Sequence, residues 1–160
     1  MPPSRNSSTI WILPGGFLTE YPSHSPEETQ ALGERIAHSL KPGSILALRG
    51  GLGAGKTCLA QGIARGLGVR DLVTSPTYTI VSEYEAFINA VPLPFYHIDA
   101  FRLSGEDDFE ALGGRDLLYG TGICLIEWSE RIENAIPPGA LRIEIEIGEG
   151  NGRIIRVEDS

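Results

Sequence analysis

The chain has 160 residues, 41% of them hydrophobic and 21% charged, the proportions of a globular domain large enough to bury its own core without disulfides or metal. Thirteen basic residues against 21 acidic ones leave a net charge of −8, which argues against a free-standing nucleic-acid binder, because such proteins draw affinity from neutralising phosphates. An acidic subunit beside a basic partner stays open. The two cysteines, Cys58 and Cys124, form no CxxC pair and read as small buried hydrophobes in a reducing compartment. The start, MPPSRNSSTIWIL, has only IWIL as an apolar stretch, and no run approaches the roughly 20 apolar residues of a membrane span. The expectation is a cytoplasmic chain with no membrane segment.

In chain order, residues 1–16 read as an irregular N-terminal extension in which TIWIL is a candidate short strand, stopped by Pro14-Gly15-Gly16. FLTEY is a second candidate strand. A helix is predicted over SPEETQALGERIAHSL, with Ser25 as N-cap, Pro26 at the first position, Glu28 completing a capping box, and Leu32, Ile36 and Leu40 forming one apolar stripe. Lys41-Pro42-Gly43 ends it. ILALR (45–49) is a short apolar strand that runs into GGLGAGKT and then a helix marked by Leu59, Ile63 and Leu67, with Gly68 as its C-terminal cap. YTIVSEY, PFYHID and ICLIE read as further strands, with short helical pieces at EDDFEAL and RDLLY. LRIEIEI alternates apolar and polar residues, GEGNG turns the chain, and RIIRVE returns as a closing hairpin. Strands interleaved with helices predict an α/β fold: a P-loop NTPase-like mixed sheet flanked by helices, with a C-terminal β-hairpin.

Gly50 to Thr57 satisfies G-x-x-x-x-G-K-[ST]. Glycines let the backbone curl so that successive N–H groups converge on phosphate oxygens, and the following helix aims its positive end at the same anion. Lys56 reaches the β and γ phosphates, and the Thr57 hydroxyl is placed to ligate Mg²⁺. The strand before the loop and the amphipathic helix after it are the context that separates this motif from a chance glycine-rich turn. No NKxD-type guanine reader occurs, which points to adenine.

P-loop enzymes carry a further acid at the tip of a neighbouring strand, and two positions qualify: Asp99, after Phe95-Tyr96-His97-Ile98, and Glu127, after Ile123-Cys124-Leu125-Ile126. In an open α/β sheet the strand C-termini face the ligand crevice, so both acids are candidates for the phosphate side. His97 shares a strand face with Asp99 and either orients that acid or a phosphate, or is a satisfied core histidine. Thr74-Ser75-Pro76-Thr77 follows the P-loop helix and offers hydroxyls to Mg²⁺ or water; an ordinary Ser-Pro turn fits the same residues. His24 and His38 read as bystanders.

LRGGLGAGKT, VTSPTYTIVSEY, YHIDAFRL and ICLIEWSERI, in this order, resemble the TsaE (YjeE) family from about Phe17 to the C-terminal hairpin. The resemblance implies a single P-loop ATPase domain over 17–160. It also implies an ATP- and Mg²⁺-binding subunit of bacterial tRNA threonylcarbamoyladenosine modification at adenosine 37. Such a subunit hydrolyses ATP slowly alone and acts with the TsaB–TsaD heterodimer, which holds the transfer chemistry and the tRNA. Carried onto this chain, Gly53, Ala54, Gly55, Lys56 and Thr57, with Cys58 following, match the phosphate loop, and Thr57 matches a Mg²⁺ ligand. Ser75-Pro76-Thr77 matches a switch-like loop whose Thr77 meets the nucleotide. Asp99 matches the acid needed for hydrolysis, Glu127 the Mg²⁺-associated acid and Trp128 the aromatic beside it. Arg153 matches an arginine that reaches the nucleotide, and Arg102 is expected to support the Asp99 loop by pairing with an acid. Gly51 stands where the family usually has Asp, Cys58 for a common Thr, Phe101 for Tyr and Ser129 for Pro; none of these removes a phosphate or Mg²⁺ group. The alternatives are a small-molecule P-loop kinase and a non-hydrolysing ATP-sensing adaptor. The kinase is disfavoured because segment 83–94 is short and holds no arginine for a lid.

Overall fold

The apolar runs of the sequence assemble into one mixed sheet. A computed structural model describes residues 7–74 and 80–159. The strands are β1 (Thr9–Leu13), β2 (Gly16–Ser23), β3 (Ile45–Gly50), β4 (Val81–Ile88), β5 (Val91–Asp99), β6 (Ile123–Glu127), β7 (Leu141–Ile147) and β8 (Arg153–Asp159). They lie side by side in the order β1-β2-β8-β7-β3-β6-β5-β4. The centre is parallel, β3 pairing with β6 and β7, and β6 with β5. The flanks are antiparallel: β1 with β2, β2 with β8, β7 with β8, and β4 with β5. Residues 9–13, the TIWIL segment read as a candidate strand, are a regular edge strand.

Strand alternation sorts the core onto the two sheet faces. Leu46, Leu48, Ile123 and Leu125 pack with helices α1 (Pro26–Ala37) and α2 (Lys56–Gly66) on one face. Ile45, Ala47, Cys124 and Ile126 pack on the other with α3 (Glu106–Ala111), α4 (Gly114–Leu118) and the 3₁₀ segment Ser129–Ala135. All five residues of β6 are buried, as the unbroken run ICLI requires of a central parallel strand. In LRIEIEI the alternation holds: Ile143 and Ile145 enter the core while Glu144 and Glu146 pair with Arg49 and Arg156. Cys124 is a buried thiol, pushed up to about 12 by burial. Cys58 is only half-buried, contrary to expectation, because in the first turn of α2 it lines a cavity.

The caps follow the sequence closely. The Ser25 hydroxyl accepts from the Glu28 amide at 3.1 Å, while the Glu28 carboxylate reaches back to the His24 amide at 2.7 Å. α2 ends in two hydrogen bonds, Gly68 N to Arg65 O and Val69 N to Ala64 O, the pattern of a Schellman cap. Between β4 and β5 the strands run beyond YTIVSEY and PFYHID: residues 83–94 are part of a two-stranded hairpin, closed by Asn89 and Ala90 with φ of 51° and 63°. A two-residue turn of this hand demands positive φ at both positions, and Asn-Ala is a weaker signal for it than Asn-Gly. Among the described residues no helix is long and apolar enough to cross a membrane.

α1 and α2 cross in close contact through glycines. A Cβ on Gly62 would stand 2.2 Å from the Gln30 carbonyl oxygen, and one on Gly33 would stand 2.6 Å from that of Leu59. Backbone meets backbone at this crossing, which fixes α2 and hence the loop before it. Gly62→Ala should therefore destabilise by about 1–3 kcal/mol through overpacking, despite the helix propensity it adds. Thermal denaturation should show the midpoint falling by roughly 2–4 °C per kcal/mol. Gly139→Ala, where a Cβ meets nothing within 4 Å, should leave it unchanged.

Candidate functional site

The glycine-rich loop leaves β3 and enters α2 with Gly53 and Gly55 at φ of 75° and 108°, conformations in which a side chain would be strained. The loop and the start of α2 border one cavity of about 340 Å³. Its lining includes Gly53, Ala54, Gly55, Lys56, Thr57 and Cys58 from the loop and helix, Asp99 and Phe101 from the end of β5, and Glu127 and Trp128 from the end of β6. The strand pairing explains the convergence. Leu48 pairs with Glu127 and Glu127 with Asp99, so three neighbouring parallel strands end level with one another.

Lys56 is 6% exposed. Its Nζ donates to the carbonyls of Gly50 (2.5 Å) and Gly51 (3.0 Å) and lies 4.0 Å from the centre of the Trp128 ring. Burial pushes its pKa below the usual lysine range, against the pull of Glu127, Glu130 and Asp99. Thr57 Oγ1 lies 3.4 Å from Glu127 Oε1. The other carboxylate oxygen, Oε2, meets His97 Nε2 at 2.5 Å, and both side chains are almost wholly buried. Asp99 accepts from the Phe101 amide at 3.0 Å, an arrangement that turns the chain as it leaves β5. Phe101 stacks at an angle on Trp128, ring centres 4.9 Å apart, and Arg131 lies over Phe101. Trp128 itself adopts φ of 56°, which swings its indole back over Lys56.

Most of the residues read from the sequence meet here: Gly53, Ala54, Gly55, Lys56, Thr57, Cys58, Asp99, Glu127 and Trp128 share one cavity. Thr77 lies outside the described residues, as do Ser75 and Pro76. Arg153 is not in the cavity lining. Its guanidinium donates to the carbonyls of Ala54 (2.9 Å) and Gly53 (3.2 Å), so it holds the loop from the side of the closing hairpin. Arg102 makes no ion pair with an acid among the described residues; the turn after Asp99 is held by its own carboxylate instead. His97 meets Glu127, on the neighbouring strand, and not Asp99 on its own. Sequence reading also missed Phe101 and Leu52 in the lining. For Phe101 the signal was its place two residues beyond a strand-end acid.

The donor set fits a magnesium-bound triphosphate: a lysine and open glycine backbone for phosphate oxygens, and a hydroxyl beside a carboxylate for a hard cation. A Cβ built on Gly51, Gly53 or Gly55 meets nothing within 4 Å, so the fold packs nothing against the loop in those directions.

Comparison with known proteins agrees with the geometry. The family model described as Threonylcarbamoyl adenosine biosynthesis protein TsaE matches residues 23–155. The chain is 38% identical over 133 residues to the tRNA threonylcarbamoyladenosine biosynthesis protein TsaE of Treponema pallidum, covering 82% of this chain and 95% of that one. To the protein of the same name from Bacillus subtilis it is 45% identical over 122 residues, 76% and 73% of the two chains. A crystal structure of Bacillus subtilis YdiB superposes with a TM-score of 0.70 at 34% identity, over 92% of this chain and 88% of that one. The matched region holds the loop and both strand-end acids, and the chain belongs to the TsaE family.

Proposed function

We propose that this chain binds ATP with Mg²⁺ and hydrolyses it as the nucleotide-driven subunit of tRNA threonylcarbamoyladenosine modification at adenosine 37. Its partner is a TsaB–TsaD-type heterodimer that holds the tRNA. The observation that carries the reading is Thr57 Oγ1 standing 3.4 Å from Glu127 Oε1 in the cavity that also holds Lys56 and Asp99. Thr57 and Glu127 would hold Mg²⁺, which would supply neutralisation of the phosphate charge. Lys56 exchanges the loop carbonyls it now contacts for phosphate oxygens, which carry more negative charge. The amides of the loop donate to the same oxygens. Asp99 is the remaining carboxylate in the cavity, and its role is to orient the attacking water and take up its proton.

Among the described residues no arginine lines the cavity, and Arg153 is engaged with the loop carbonyls. An arginine acting on the transferring phosphoryl group is worth about 10³–10⁵ in rate, so intrinsic turnover is slow and a partner has room to accelerate it. The net charge of −8 is consistent with tRNA being met through the complex. The kinase alternative loses its lid, since segment 83–94 lies within the β4–β5 hairpin.

Lys56→Ala should reduce ATP affinity by at least tenfold in calorimetry. Asp99→Ala should bind ATP within about threefold of wild type and lose at least 100-fold in hydrolysis, within the range of general-base removal. If Asp99→Ala still supports tRNA modification in a reconstituted assay, the non-hydrolysing adaptor replaces this reading. Adding the partner heterodimer should raise the ATPase rate; equal rates with and without it would count against the assignment. In a Trp11→Phe background, ADP should produce a saturable change in Trp128 fluorescence, because phosphate draws the Lys56 ammonium off the indole face. Trp128→Phe should show no such change.

A further inference from the structure

His97 is wholly buried, its Nε2 meets Glu127 Oε2 at 2.5 Å, and its Nδ1 has no hydrogen-bond partner among the described residues. A carboxylate oxygen accepts, so Nε2 is the ring nitrogen that donates. Nδ1 has no acceptor in reach among the described residues, so the geometry assigns the Nε2–H tautomer. The two strands place the pair: His97 registers with Leu125 and Asp99 with Glu127, so imidazole and carboxylate are diagonal neighbours on the face that α2 covers. The two oxygens of Glu127 are thereby divided. Oε2 is tied to the interior, and Oε1 alone is turned toward Thr57.

We propose that His97 is a positioning residue for cation binding: by holding Oε2 it presents one fixed oxygen of Glu127 beside the Thr57 hydroxyl. The proposal rests on the reading of Thr57 and Glu127 as the Mg²⁺ pair. A carboxylate 97% buried and without this donor would turn to seek another, and the site would lose a preset ligand. Donors that fix ligating groups in this way are typically worth about 10–100-fold in metal affinity. Asp99, the other strand-end acid, has its own amide donor from Phe101 and needs nothing from His97.

The test uses the full chain with ADP and Mg²⁺. Glutamine can place an N–H near the position of Nε2, whereas asparagine is too short. His97→Asn should raise the Mg²⁺ concentration for half-maximal enhancement of ADP binding by about tenfold or more, with His97→Gln within threefold of wild type. Metal-free ADP affinity should be unchanged in both. Wild-type Mg²⁺ dependence in His97→Asn would overturn the proposal. So would a parallel loss of metal-free ADP affinity and thermal stability in both variants, which would mark the histidine as packing alone. The wild type supplies a measurement independent of variant folding: two-bond ¹H–¹⁵N NMR should show the Nε2–H tautomer of His97, retained when ADP and Mg²⁺ bind. An Nδ1–H tautomer would overturn the proposal. If wild-type ADP binding ignores Mg²⁺ altogether, the metal reading itself falls, and it takes this proposal with it, whatever the tautomer.

Discussion

The site depends first on the parallel pairing of β6 between β3 and β5. Because Leu48, Glu127 and Asp99 stand level across three strands, the loop that follows β3 opens directly beside two carboxylates supplied by distant parts of the chain. A slip of one residue in either pairing would turn Glu127 or Asp99 to the opposite sheet face, away from α2. The buried run of β6 resists such a slip, since it would exchange the residues that pack against α1 and α2 for those that pack against α3 and α4.

Within that frame the electrostatics are tightly drawn. Lys56 and Glu127 are both nearly buried, and each is held by partners that leave a function-bearing side free. Lys56 rests on two loop carbonyls and an indole face, contacts that a phosphate can replace. Glu127 rests on a buried imidazole, a contact that it has no reason to give up when the cavity fills. Under the proposed function one group is therefore exchangeable and the other fixed, a division that would serve a cation ligand beside a phosphate-binding lysine.

The antiparallel flanks contribute differently. β8 begins with Arg153, and its guanidinium donates to the carbonyls of Gly53 and Ala54. A glycine-rich loop has little conformational preference of its own, so an external donor to its carbonyls restricts the conformations open to it. At the other side of the sheet, β1 is an apolar edge strand outside the matched family region, with Ile10, Trp11 and Ile12 more than half exposed.

Local chemistry made much of this legible in advance. The caps of α1 and α2, the apolar strands 45–49 and 123–127, and the closing hairpin each carry their signal within a few residues, and Lys56 and Thr57 are fixed by the motif they complete. The longer β4–β5 hairpin was hidden because its turn uses Asn89-Ala90 in place of a glycine. Three further features were decided only by tertiary structure: that His97 meets Glu127 and not Asp99, that Arg153 donates to the loop carbonyls from outside the cavity, and that Phe101 joins its wall. Each is a contact between segments far apart in the chain. Sequence spacing sets which way a side chain points along its own strand; which neighbour it meets is set by strand order and register, and these are properties of the whole sheet.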